Sequence, residues 1–597
     1  MSEHTFITGK DAALEDTIAR VQGQLAALGF DIEETRWLNP VPHCWSVHIR
    51  DKSCPILFTN GKGASKKAAL ASALGEFVER LASQYFFGDF HWHREQTTHD
   101  GLKQGVHDPR EHWFTIDHPG VRPEGLLDDA LWRHYLADEY RITTEDWVDF
   151  NSAVTDAVCA LPYTRIRDGE TLYFPANVVG NLYVSNGLTA GNTVFEARTQ
   201  GLSEVFERFV KNRVIAECIA LPQIPDTVVA RYPTIATAIA ALRDHGFGLR
   251  LLDASLGGKY PVICVTLIDP QSGGVFASFG AHPNFEVAFE RTVTELLQGR
   301  ALDDLHAFHP PTTDQELVSD PQNLELHFID SSGWLSWDFF RDTPDYPFVH
   351  WDFTVHKDGA LDNEAGFIRL CDIVQAEGYD VYVADYPHVG LYACRILVPG
   401  MSEIYPVDEL YERNNNVGLS LVPYVEELDK LTTTECARLF ETMDDMDMDW
   451  LMPMTDVIGL AIGADHPWAS LRFGELRALA LFASGPNDDD DECEALLDWL
   501  ATVPPLPDDR RVVYRAALTR HQLRVAATAP LTSYQETLAA MYSPQALAAA
   551  EALMQGKAGF LDLSGLGAHF GQSALHRSLL SAFERAYAAK TRDEQAS

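Results

Sequence analysis

Two stretches of this chain carry the same pattern of acids. Residues 74–81 read LGEFVERL and residues 202–209 read LSEVFERF, both of the form L-x-E-x-x-E-R-apolar. At 100° per residue, Ser72, Glu76 and Glu79 fall within about 60° of one another on a helix. Glu196, Gln200, Glu204 and Glu207 fall within about 80° by the same count. A third stretch, ERTVTELLQGR, brings Arg291, Glu295 and Gln298 onto one face. A single E-x-x-E-R is what ordinary i,i+4 pairing on a solvated helix produces. Here two near-identical copies and a related third lie among Leu74, Phe77, Leu202, Val205 and Phe206, flanks too apolar for freely solvated helices.

Carboxylates crowded on buried faces repel one another and are driven toward neutrality. A hard divalent cation resolves that conflict. Magnesium takes oxygen ligands and keeps substrate phosphates in its shell, so two or more ions between acidic helices and a triphosphate would neutralise the charge that moves in phosphoryl transfer. Arg80, Arg208 and Arg291 are placed to bind phosphate bidentately or to hold the acids. No Walker A loop is present; Asn60-Gly61-Lys62-Gly63-Ala64-Ser65 is the nearest approach and lacks its form. No G-x-G-x-x-G follows a strand and no G-x-S-x-G elbow occurs, so a nucleotide site must be built another way. His282 precedes the third acidic helix and reads as a helix-entry residue, and Cys218 as a buried small hydrophobe.

The elements that must position these residues follow from periodicity and punctuation. Helices are predicted over Asp11–Leu28, Ser65–Tyr85, Thr193–Cys218, Thr234–His245 and Phe285–Arg300. Strands are predicted at Trp45–Ile49, Pro55–Thr59, Thr171–Phe174, Asn181–Val184, Leu249–Leu252, Pro261–Ile268, Gly274–Gly280, Tyr379–Ala384 and Tyr392–Val398. Residues 95–150, rich in Pro, His and Asp, read as a surface excursion with one amphipathic piece, LLDDALWRHYLADEY. Beyond Tyr405 strand signal fades and Ala/Leu-rich helices with short turns follow, too ragged in period to assign a repeat from spacing. The acidic run Asp488–Glu492 and the prolines Pro504-Pro505-Leu506-Pro507 read as interhelical loops.

The bulk numbers bound the class. With 597 residues, 46% apolar and 22% charged, the chain is an ordinary globular protein of several domains. Its 46 basic and 87 acidic residues leave a net charge of −41, which disfavours nucleic acid or an anionic membrane as main partner; taken alone it reads first as plain solubility and is compatible with a basic partner. Nine scattered cysteines include no C-x-x-C, so no zinc ribbon or iron–sulfur site is expected, and a reducing, cytoplasmic setting is. The first residues carry acids and no apolar core, unlike a signal peptide. No apolar run of membrane-spanning length occurs.

These motifs resemble the YcaO family. The resemblance is carried by the Ser72–Glu76–Glu79–Arg80 helix, by NLYVSNGLTAGNTVFEARTQGLSEVFERFVKNR, by FASFGAHP with ERTVTELLQGR, and by TGKDAALEDTIAR and WLNPVPHCWSVHIRDK. It covers roughly the first 400 residues. It implies an α+β, ATP-binding core over residues 1–405, with mixed sheets and carboxylate-bearing helices, then an all-helical, tetratricopeptide-like domain over 406–597. It implies ATP and magnesium as cofactors. Glu76, Glu196, Glu204 and Glu207 are then expected at the metal, and Lys10, Ser72, Glu79, Asn192, Arg208, Arg291 and Glu295 at the nucleotide. No catalytic residue is singled out.

Family members phosphorylate an amide or carboxyl oxygen with ATP. The azoline-forming branch ends in P-x-P-x-P, whereas this chain ends KTRDEQAS. That favours the branch assisting a radical methylthiotransferase of the RimO type in methylthiolation of an aspartate in small-subunit ribosomal protein twelve, working as a homodimer. Two other readings stay open. One is an amide-activating cyclodehydratase or thioamide-forming enzyme. The other is an interaction scaffold with vestigial nucleotide binding, against which the intact Glu and Arg sets argue. A metal-dependent hydrolase unrelated to ATP fits less well, because the faces are rich in glutamate and poor in histidine.

Overall fold

Three strand-to-helix turns carry the acids. A computed structural model describes residues 4–93, 98–99, 102–103, 106–116, 121–136, 142–152, 154–357, 360–412, 414–446, 448–485, 490–503, 506–526, 528–557, 559–561 and 563–596. The first turn leaves a three-stranded antiparallel sheet built from Ile32–Val41, Cys44–Asp51 and Phe58–Gly63. Ser65 then caps the helix Lys66–Ala82, its side chain accepting from the Ala68 N–H. The second turn leaves Leu188–Gly191, at one edge of a six-stranded sheet. Thr193 caps the long helix Val194–Ala216 that follows. The third leaves the antiparallel sheet Gly248–Asp253, Val262–Ile268 and Val275–Ala281, and Asn284 caps Phe285–Leu296.

Each helix lies unusually close to the strand before it, and glycine makes that possible. A Cβ on Gly61 would sit 2.1 Å from the Ala69 carbonyl oxygen and 2.3 Å from the Ala73 nitrogen. One on Gly280 would sit 2.5 Å from Thr292 Oγ1. Only a residue without a side chain tolerates such an approach.

The long helix buries Leu202, Val205, Phe206, Val210 and Val214 against the sheets, which turns its acidic stripe the other way. A further helix, Asn363–Ala376, packs beside it.

Two expectations are corrected. Asn181–Val184 is not a strand: Ala176–Tyr183 is helical. Pro175, with φ already near the helical value, precedes the helix, and Val184 at φ 50° ends it. Val178, Val179, Leu182 and Tyr183 are all buried, at the i, i+1, i+4, i+5 spacing of one helical face. Residues 95–150 are not wholly a surface excursion. Val106, Phe114, Leu126, Leu131 and Trp147 belong to the same core as Phe77 and Leu81. The prolines and acids of this segment mark its turns, while single apolar residues between them are too sparse to show periodicity. The piece from Asp129 to Tyr135 is helical, and residues 137–140 lie outside the described residues.

The C-terminal region is helical and has its own core, including Leu439, Leu476, Leu497, Tyr514 and Leu553. Asp490–Thr502, Asp508–Ala526 and Pro544–Met554 pack one on the next. Pro504, Pro505, Asp488 and Asp489 lie outside the described residues. The final helix, Ala574–Ala596, turns back on the first core. Leu579, Ala582, Phe583 and Ala586 pack there, with the Phe583 ring 5.4 Å from that of Phe87. Lys590 Nζ reaches Asp108 at 3.3 Å and the His107 carbonyl at 3.2 Å, both buried. Among the described residues no helix is long and apolar enough to cross a membrane.

Candidate active site

The three acidic helices, the strand Phe58–Gly63 and the segment from Thr5 to Ala12 enclose a cavity of about 940 Å³. Every residue singled out from the sequence lines it: Lys10, Ser72, Glu76, Glu79, Asn192, Glu196, Glu204, Glu207, Arg208, Arg291 and Glu295. They form two groups.

At one end Glu196, 3% exposed, is surrounded by donors. It accepts from the Asp11 N–H at 2.8 Å and from Asn192 Nδ2 at 3.1 Å, and pairs with Lys10 Nζ at 3.3 Å. Asn192 is itself fixed by Thr17 Oγ1 at 2.8 Å and Arg20 at 2.5 Å. Glu196 thereby anchors the Gly9–Lys10 turn over the cavity. His282 packs beneath that turn and accepts from the Asn284 N–H at 3.0 Å, which agrees with a helix-entry role. Burial, with Arg291 and Lys10 nearby, keeps its ring neutral.

At the other end the acids face one another across the helices. Burial pushes the Glu204 carboxyl up to about 7 against the pull of Arg208. Burial lifts Glu79 well above the usual carboxylate range, and the charges of Glu76 and Glu204 add to it. Glu76 is raised by burial despite Arg80, which it meets at 2.5 Å. Arg291 donates to Gln200 Oε1 at 2.7 Å. Ser72 lines the wall between these helices.

Lys62, on the strand Phe58–Gly63, forms an ion pair with Glu295, and burial holds its ammonium down to about 8. The sequence reading passed over Lys62 because it weighed the Asn60–Ser65 stretch only as a phosphate loop. The signal available was strand alternation, which turns Lys62 and Asn60 to one face. Thr17, Arg20, Lys211 and Arg300 were also missed; Thr17 and Arg20 recur at helical spacing inside the N-terminal helix Leu14–Ala27.

The donor set fits a hard cation and a polyphosphate. It is made of carboxylate oxygens, with no thiolate, and such ligands suit magnesium. Arg80 Nε and Arg208 Nε are buried without a hydrogen-bond partner, as expected of donors meant for an anion. The Arg208 guanidinium is held 5.2 Å over the Phe328 ring. Among the described residues no three acidic, histidine or cysteine side chains converge on one point; magnesium is commonly held by one or two carboxylates together with waters and substrate phosphates.

Known proteins resemble the chain over its whole length. The family described as YcaO cyclodehydratase, ATP- and Mg2+-binding, matches residues 60–402. A second, described as the YcaO cyclodehydratase C-terminal domain, matches residues 418–592. An Escherichia coli (strain K12) protein named ribosomal protein S12 methylthiotransferase accessory factor YcaO is 48% identical over 594 residues, 98% of each chain. A Haemophilus influenzae protein is 46% identical over 607 residues, 99% of each chain. Among solved structures, YcaO from Methanopyrus kandleri bound with AMPPCP and Mg2+ shares 19% identity at a TM-score of 0.41, covering 67% of this chain and 95% of that one. That is a distant likeness and no more.

Proposed function

Because the chain belongs to the YcaO family, we propose that its acid-lined cavity binds ATP with magnesium and activates a carboxyl or amide oxygen by phosphorylation. We further propose the role that the E. coli relative's name describes, accessory factor to an S12 methylthiotransferase. On this reading a RimO-type enzyme supplies the radical chemistry, an aspartate of small-subunit ribosomal protein twelve is modified, and the protein works in the cytoplasm as a homodimer. The observation that carries the nucleotide reading is the group of half-buried carboxylates held at raised pKa on one cavity, beside buried arginine nitrogens without partners. An apo site of that kind is electrostatically unfavourable until cations and anions enter together.

Residues 1–405 would then be the nucleotide-binding unit and 406–597 a tetratricopeptide-like unit for partner docking, with Ala574–Ala596 tying the second to the first. Bound magnesium supplies charge neutralisation and polarisation of the phosphate oxygens. Glu76, Glu204 and Glu207 are the acids offered to two or more such ions, with Glu196 beyond them. Arg208, Arg291 and Arg80 offer hydrogen bonds to phosphate. Lys62 exchanges its Glu295 partner for a phosphate oxygen. Glu196 holds Lys10 at the cavity mouth, so that ligand meets a preformed wall.

Titration calorimetry with ATP, in magnesium and in EDTA, tests the reading. Binding is expected only with magnesium; equal affinity in EDTA would remove the metal from the site. Glu207→Gln is expected to lose ATP hydrolysis with an unchanged melting curve. Mass spectrometry of the ribosomal protein from a deletion strain tests the biological role: full methylthiolation without this protein would exclude it.

A further inference from the structure

Two cations at one end of the cavity have no use in nucleotide binding as argued above. Lys211 lies one turn beyond Glu207 on the long helix, is 3% exposed, and lines the cavity. Its Nζ donates to the His327 carbonyl at 2.5 Å and to Ser331 Oγ at 2.9 Å, both uncharged. Arg300 donates to the Asp330 carbonyl at 2.6 Å, and its guanidinium lies 4.6 Å from the Phe276 ring. Among the described residues neither forms an ion pair with a carboxylate. Glu207 bears on Lys211, and Asp304 and Asp330 bear on Arg300, only from beyond contact distance.

Buried lysines are almost always paired with a charge. In a protein of net charge −41, acids to pair with are plentiful. An unpaired lysine on a cavity wall is therefore a place kept for a ligand's anion. Burial, and then the like charges of Arg208 and Arg300, hold its ammonium down to about 7. An incoming anion would relieve that.

Position says which anion. Glu196, Gln200, Glu204, Glu207 and Lys211 form one stripe that runs on the order of 22 Å along the helix. Acids fill its first part, and the cation closes it. The rim beside Lys211 carries apolar side chains: Phe328 and Ile329 line the cavity there, just ahead of Asp330 and Ser331, and Ile329, which ends the helix Pro321–Ile329, is 61% exposed. An apolar rim around a basic pocket suits a carboxylate carried on a polypeptide, whose neighbouring side chains can rest on it.

We propose that Lys211 and Arg300 form the acceptor subsite, which takes a polypeptide-borne carboxylate and holds it beside the nucleotide's phosphates. The proposal rests on the nucleotide reading of the same cavity. The competing source of an anion is the nucleotide's own phosphate, and the experiment separates the two.

The rate at which Lys211 is reductively methylated in the full-length protein, read by mass spectrometry, reports on the subsite. Three conditions are compared: Mg-AMPPNP alone, Mg-AMPPNP with N-acetylaspartate N-methylamide, and Mg-AMPPNP with the asparagine analogue. The aspartate probe is expected to slow labelling by about tenfold, the worth of one charge-assisted hydrogen bond. The asparagine analogue and the nucleotide alone should change it less than about twofold by the same reckoning. Arg300→Gln, checked for folding by its melting curve, should lose the aspartate protection. Full protection by Mg-AMPPNP alone would give the subsite to a phosphate and overturn the proposal, as would equal protection by the two amides or undiminished protection in Arg300→Gln. Calorimetry on the same samples reports nucleotide binding separately, so failure of that reading is not mistaken for failure of this one.

Discussion

Glu204→Gln should stabilise the empty protein and disable it. In the folded state burial raises the Glu204 carboxyl from 4.5 to about 7. At about 1.36 kcal/mol per unit, keeping that group ionised costs the fold about 3 kcal/mol. Between pH 4.5 and 7 the folded state binds more protons at this site than the unfolded state does. Stability therefore falls as pH rises through that window, and the full cost is present above it. Glutamine has the same shape and no charge, so its contribution is flat. Removing the Glu204 charge also relieves Glu79, whose carboxyl that charge helps to raise, so the gain is not less than about 3 kcal/mol. The assay is urea unfolding of the magnesium-free protein from pH 4.5 to pH 8, following the transition of the cavity-bearing region. The variant should match wild type at the acid end and pull ahead by the stated amount at pH 8. Calorimetry should show nucleotide affinity lost. A variant less stable than wild type at pH 8, or a difference that does not change with pH, would refute the electrostatic account of the site.

Three further outcomes follow from the geometry. Gly61→Ala should destabilise the first strand-to-helix unit by more than about 3 kcal/mol, because a Cβ 2.1 Å from the Ala69 carbonyl must push strand and helix apart; thermal melting reads it, and an unchanged midpoint would contradict the packing. Lys62→Met should weaken Mg-ATP binding by about tenfold, the loss of one charged contact to phosphate; calorimetry checks it. Deleting residues 574–596 should make the first core aggregate, since Leu579, Ala582, Phe583 and Ala586 are buried in it; a soluble, ATP-binding product after that deletion would mean the helix only rests on the core.

The acids of the site were legible in the sequence because their spacing is local. Glu76 and Glu79, Glu204 and Glu207, and Arg291 and Glu295 each lie within one helical turn, and the helical period alone puts them on one face. The cations were less legible. Lys62 sits on a strand, Arg300 beyond a helix end, and Lys211 one turn past the acidic motif, so only the fold brings them to the same cavity. The helix at Ala176–Tyr183 and the buried residues of 95–150 were missed for a related reason: short elements flanked by proline are set by tertiary packing, not by local preference. The return of Ala574–Ala596 to the first core is wholly non-local and left no trace in composition.

The ion pairs seen around the cavity suggest how it accepts its ligand. Glu76 with Arg80, Glu295 with Lys62, and Glu196 with Lys10 are three internal pairs on the wall of one cavity. None of these pairs is fully solvated, so each interacts more strongly than a surface pair would. If Glu76 and Glu295 turn to a divalent cation and Arg80 and Lys62 to phosphate, each of those two pairs is exchanged for two charged contacts, while Glu196 keeps Lys10 in place. Unpaired burial of either partner would cost several kcal/mol. The pairing thus keeps the empty site folded, while the raised carboxyls of Glu79 and Glu204 keep it poised for a cation. Rigid support from the glycine-backed strands then confines the exchange to side chains.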